Sequence, residues 1–313
     1  MNPSDRETLR ALATRWAEIA ALPTMAQRKR AWRALHDLKP ERPMVLFEHD
    51  TVDGYVAADE LLCEHPVLRA VETVLRENIR HFEEIGDDIV IEPYYRLGWD
   101  LDDSGWGVDV QEIPASVAEG DIPLGYTFNF PVKTPADLSL LQPRTFTVDR
   151  EGTLAKQRLL EDAFGDILPI RTANYDHFLM DQGAESWAGN YFIGLTWQVY
   201  RFIGNDGLLT WVYEAPDAIH SLMEYMVTDR LRMFELMQSE GLIVPNTDNQ
   251  LAGPRAYGYV SELPGTDAVP GRLSDLWCWA ESQEAAPISP AMYAEFVLPY
   301  MKRLTDRFGL VYY

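Results

Sequence analysis

The sequence has little cysteine, and what it has forms no redox or metal motif. Cys63 and Cys278 are the two thiols, far apart and with no CxxC spacing. A disulfide framework is therefore not expected, and a reducing, cytoplasmic setting is. Positive charge is also scarce: 27 Lys and Arg stand against 49 Asp and Glu, a formal net charge of −22. That balance speaks against nucleic acid and anionic membranes as partners, because phosphate binding rests on clustered cations. It disfavours a polyanionic substrate as well, unless the few cations converge on one cleft. No run of 18 apolar residues occurs, and the opening "MNPSDRETLRALATRW" is charged and amphipathic, without an apolar signal core. The sequence also lacks GxGxxG, a P-loop, HExxH, HxH and GxSxG. These absences weaken dinucleotide, nucleotide, self-contained zinc and acyl-transfer readings in turn.

What is present is a chain of 313 residues, 47% hydrophobic, with nine Trp and fifteen Tyr. That is ample for a sizeable core, and the large amphipathic rings suit pocket walls as well. Two helices open the chain, where Ser4 with Glu7 and Thr24 with Gln27 have capping-box spacing. Leu9, Leu12, Ala13, Trp16, Ile19 and Ala20 then recur at helical period. Pro40 and Pro43 close this section, so residues 1–43 are expected to be a helical section packed on a barrel formed by 44–313.

From there strands and helices alternate. Strands are expected near 44, 89, 168, 242, 276 and 310, a short hairpin around "PLGYTFNF", and helices over about 66–85, 150–164, 185–204, 216–240 and 290–304. Pro299 should kink the last of these. Apolar strands joined through helices are the signature of a parallel sheet, so the fold class is α/β. In a parallel barrel the site lies at the C-terminal strand ends. Those ends are polar here: Glu48, His49 and Asp50; Tyr94 and Tyr95; Asn174, Tyr175, Asp176 and His177; Asn246, Asp248 and Asn249; Glu281, Ser282 and Gln283.

Each candidate has a bland alternative. His177 beside Asp176 suits a general base or metal ligand, or equally a loop anchor. Asp248, flanked by amides in "NTDN", suits holding a polar substrate group, or equally an Asx turn. Glu281 follows a very apolar strand, so its carboxylate should be partly desolvated and more basic, which suits acid–base or metal duty. Cys278, between Trp277 and Trp279, reads as a core thiol.

The stretch "LSDLWCWAESQEAAPISPAMYAEFVLPYMKRLTDRFGLVYY", with "SEGLIVPNTDN" and "GYVSELP" upstream, resembles the uroporphyrinogen decarboxylase-like superfamily, in the branch grouped with corrinoid-dependent methyltransferases. The opening "RWAEIAALPTMAQRKRAWRALHDLKPERPMV" is similar to the N-terminal section of the same branch. The resemblance is long and loosely spaced, and the arginine-rich substrate motif of the decarboxylases has no counterpart. It implies a TIM-type (β/α)8 barrel and a methyltransferase moving a methyl group between a small molecule and a corrinoid or thiol acceptor with metal assistance. It further implies zinc, and cobalamin carried by a corrinoid protein partner. Within this chain it maps Glu281 onto the metal end of the barrel and Asp248 and Asn246 onto the substrate-facing segment, while Tyr175 and His177 complete the candidate catalytic set. In that branch a Gly-Cys-Cys-Glu stretch follows the strand matching "FGLVYY". The six-strand pattern thus leads us to expect a barrel truncated after about six strands, with the remaining metal ligands beyond Tyr313. The alternatives are a metal-independent decarboxylase of a small carboxylic acid and a non-catalytic module binding a small molecule or corrinoid protein. A homodimer through barrel helices is the default assembly.

Overall fold

The computed structural model describes residues 1–47, 54–116, 125–174, 191–254 and 256–313. It is an α/β protein. Helices α1 (Pro3–Ala20) and α2 (Pro23–His36) open the chain. Neither expected capping box starts them. Asn2 caps α1 by accepting the Asp5 N–H at 2.7 Å, and each helix begins on a proline, whose fixed φ suits the first helical position. Two indoles pin this section to the next layer: Trp16 Nε1 donates to the Glu92 carbonyl at 2.7 Å and Trp32 Nε1 to the Asp88 carbonyl at 2.9 Å.

Helix α3 (Pro66–Glu84) follows, then strands β1 (Tyr95–Gly98), β2 (Leu101–Asp103), β3 (Glu112–Pro114), β4 (Tyr126–Phe128) and β5 (Phe146–Val148). The hairpin expected around "PLGYTFNF" is β3 against β4; its connection lies partly outside the described residues. Helix α4 (Arg150–Phe164) stops at Gly165 and leads into β6 (Ile170–Ala173). β7 (Phe192–Ile193) stands where helix was expected, and α5 (Leu195–Glu214) starts only after it. Gly204 breaks α5 with φ +70°, a conformation that favours glycine, and the freed Phe202 carbonyl accepts the Val132 N–H at 3.1 Å. Helix α6 (Pro216–Ser239) ends before Gly241, at φ +68°. A hairpin of β8 (Leu251–Gly253) and β9 (Ala256–Tyr257) precedes β10 (Trp277–Ala280). The final helix is split by Pro299 into α7 (Pro290–Phe296) and α8 (Leu298–Thr305), and β11 (Leu310–Tyr312) closes the order.

Three strand pairs are parallel: β1 with β6, β10 with β11, and β10 with β7. Among the described residues each sheet has two or three strands and none closes into a barrel. Of the six expected strands, three are shorter versions of the reading (170–173, 277–280 and 310–312), and the one expected from 89 begins only at Tyr95. Residues 44–47 and 242–247 belong to no strand ladder, and the chain bends at 248–249. Two cores result. One gathers α1 to α4 around Ile89, Val90, Ile91 and Tyr95; the other gathers α5, α6 and α8 behind β7 and β10. No helix among the described residues is long and apolar enough to cross a membrane.

Candidate functional site

Residues 242–250 run between β6 and β10 without pairing to either backbone. Two asparagines close the gaps. Asn174, just past β6, donates Nδ2 to the Val244 carbonyl at 2.7 Å and accepts the Val244 N–H at 2.8 Å. Asn246 treats Trp277 the same way, at 3.1 and 2.9 Å. A side-chain amide has one donor and one acceptor in peptide geometry, so each asparagine replaces a missing strand neighbour and satisfies two backbone groups that burial would otherwise orphan. Asn246 is 2% exposed, and its amide is committed to this bridge.

Asp248 follows on the same segment, 4% exposed. Its Oδ2 accepts the Tyr94 hydroxyl at 2.5 Å and Arg96 Nη2 at 2.7 Å; its Oδ1 accepts the Gln250 N–H at 2.9 Å and Gln250 Nε2 at 3.1 Å. Four donors fill the acceptor sites of one carboxylate. Burial works against its ionisation, but the Arg96 charge and the Tyr94 and Gln250 hydrogen bonds outweigh it and hold the carboxyl below its ordinary range. Asp248 is thus a fixed anion that aims Tyr94 and Arg96. Burial, then the Asp248 charge, pushes the Tyr94 hydroxyl up, so it stays protonated.

These groups edge a cleft of about 370 Å³ between β6 and the 244–250 segment, at the small end of ligand-pocket sizes. Strand geometry explains what points there. Tyr94 and Arg96 are two residues apart on one extended segment and share a face, and the parallel register sets Arg96 beside Arg171. Arg171 stacks on the Tyr94 ring, 4.3 Å from its centroid. Two guanidinium groups therefore converge on one cleft of a protein with a net charge of −22, the exception the composition left open. Ile170, Val244 and Val269 supply apolar wall.

Glu281 lies elsewhere, just past β10. Cys278 and Ala280 of that strand face the core, so alternation puts Glu281 on the face of Trp279, whose ring is 4.6 Å from Phe192. Burial, then the charge of Glu284, pushes the Glu281 carboxyl up to about 7. Glu284 itself accepts the Thr196 hydroxyl at 2.8 Å. Among the described residues no group of three His, Cys, Asp or Glu side chains is placed to hold a metal ion. Two carboxylates without imidazole or thiolate do not fit zinc, and we derive no step through it. Cys63 and Cys278 are both buried free thiols, pushed up to about 12 chiefly by burial.

Tyr175 and His177, with Glu48, His49, Asp50 and Asp176, lie outside the described residues. Tyr95 turns away from the cleft, against Phe164 in the α1–α4 core. The structure thus brings Asp248 and Tyr94 together and leaves Glu281 in a separate environment. Sequence reasoning missed Arg96, Arg171 and Gln250. Period-2 alternation in "YYRLG" is the signal that would have set Arg96 on the face of Tyr94, while its neighbour Arg171 follows only from the parallel register. No family model matches the chain, and neither the curated proteins nor the solved structures searched contain a match.

Proposed function

We propose that this protein is an enzyme acting on a small organic acid held in the Arg96–Arg171 cleft, with methyl transfer as its reaction. The observation that carries the substrate end is the pair of guanidinium groups converging beside an ionised Asp248. Arg171 meets the carboxylate, Arg96 is held by Asp248 as the second cation, and the Tyr94 ring carries Arg171 on its face. The methyl-transfer step rests on the sequence resemblance, and with it a corrinoid-carrying partner. We read the parallel pairs as parts of one (β/α)8 wall, a reading supported by the Asn174–Val244 and Asn246–Trp277 bridges that link β6 toward β10. The two free thiols support a cytoplasmic setting.

Decarboxylation is the second reading. It is favoured by Asp248, which stays ionised at the cleft and would face a protonated intermediate once Gln250 Nε2, its longest contact, moved aside. The test is product analysis on a panel of small methylated and unmethylated acids, with and without methyl-accepting cob(I)alamin. Demethylated acid formed only with the corrinoid supports methyl transfer. Carbon dioxide released without it supports the lyase, and no turnover of any acid contradicts both.

A further inference from the structure

The cleft has a strap. Residues 264–271 are tied at both ends: the Thr247 hydroxyl donates to the Pro264 carbonyl at 2.8 Å, and the Gly271 N–H donates to the Ile243 carbonyl at 2.8 Å. Between these ties the chain makes a tight turn, in which the Ala268 N–H reaches the Gly265 carbonyl and the Val269 N–H the Asp267 carbonyl, both at 3.0 Å. Thr266, Asp267 and Val269 from this turn line the cleft. The single ion pair from strap to cleft among the described residues is Asp267 Oδ1 to Arg171 Nη1, at 3.3 Å. It is long, and its partners are 91% and 47% exposed, so solvent screens it and it holds weakly. Arg171 otherwise has its ring contact with Tyr94.

We infer that Asp267 is an internal stand-in for the ligand's carboxylate, so that a small mono- or dicarboxylate enters by replacing Asp267 on Arg171 and releasing the strap tip. This rests on the reading that the cleft binds an acid, and adds to it the gate and the group the ligand must displace. An entering carboxylate presents two oxygens to the guanidinium fork, where Asp267 presents one at long range, so exchange favours the ligand. The strap ends stay tied while the tip moves, which confines the opening to a few residues.

The test is calorimetric titration of the full chain with malonate and with propionate, comparing wild type, Asp267→Asn and Glu262→Gln. Asp267 is almost fully exposed and Glu262 is also exposed, so neither change endangers folding. Glu262 does not line the cleft and controls for the general loss of one negative charge. The inference predicts binding about two- to fivefold tighter in Asp267→Asn, the range set by removing a weak exposed pair, with Glu262→Gln like wild type. Equal affinity in wild type and Asp267→Asn, or equal tightening by both variants, overturns the strap and leaves the acid-binding cleft standing. No binding by any of the three proteins overturns the cleft reading and the strap with it.

Discussion

Asp248 and Glu281 are both carboxylates placed after apolar segments, yet they end in opposite states. Asp248 is almost fully buried and stays ionised below its ordinary range, because Arg96, Tyr94 and Gln250 meet its oxygens. Glu281 is less buried, but burial and the nearby Glu284 carboxylate both act against its ionisation, so it rises to about 7. The lesson is that burial sets the stakes while partners set the charge. In the function we propose, the fixed anion with its cations serves recognition, and the carboxyl near 7 can exchange a proton at neutral pH.

The comparison breaks most visibly if Asp248 loses its cation. Arg96→Ala should cost about 3 kcal/mol, since it strands a buried charge, and should push the Asp248 carboxyl upward, toward the behaviour of Glu281. Urea unfolding and carboxyl NMR would check the two parts. A smaller effect is expected at the bridge beneath the cleft. Asn246→Ala leaves the Trp277 N–H and carbonyl without their partner and should cost about 2 kcal/mol, measurable as a lower denaturation midpoint.

The smallest effect is in pH dependence, and the two carboxylates have opposite signs. Asp248, depressed in the folded state, contributes stability above its ordinary 3.8 that is lost as pH falls through and below that value. Glu281, raised in the folded state, binds its proton more tightly there than in the unfolded chain. Its contribution is therefore present below the ordinary 4.5 and lost as pH rises from there to about 7. Glu281→Gln should remove that decline, so its stability relative to wild type should increase from pH 4.5 to 7 and level off above. Parallel curves for the two proteins across that interval would contradict the assignment.

Much of this contrast was legible in the sequence, and unevenly so. Glu281 was read correctly as a partly desolvated, more basic carboxylate, because the apolar run "LWCWA" before it is local information. Helices α3, α4 and α6 were legible for the same reason, with Pro66, Gly165, Pro216 and Gly241 marking their ends. Asp248 and Tyr94 were both named at strand ends, but Arg96 was not, and the pairing of the three was illegible because Tyr94 and Arg96 are some 150 residues away in the chain and meet Asp248 only through tertiary packing. Asn246 shows the harder limit. The resemblance mapped it onto a substrate-facing segment, whereas the fold uses its amide as a substitute peptide beside Trp277. The missing ladders at 44–47 and 242–249 have the same origin: their apolar pattern is that of a strand, but Asp88 and the two asparagines take up backbone groups that a neighbouring strand would have paired. The expected helix stopped at 204, where Gly204 breaks α5; the helical stretch that continues past the glycine to Glu214 was unread, because an isolated glycine does not tell from sequence whether helix resumes after it.

The most direct test of the account is a calorimetric titration with malonate of wild type, Arg171→Gln and Glu281→Gln. Arg171 is half exposed and holds no buried charge in place, so its loss should spare the fold. The account predicts at least a tenfold loss of affinity in Arg171→Gln, the scale of one charge-assisted carboxylate contact, and wild-type affinity in Glu281→Gln. Wild-type binding by Arg171→Gln, with binding lost in Glu281→Gln, would move the substrate to the aromatic site and contradict it.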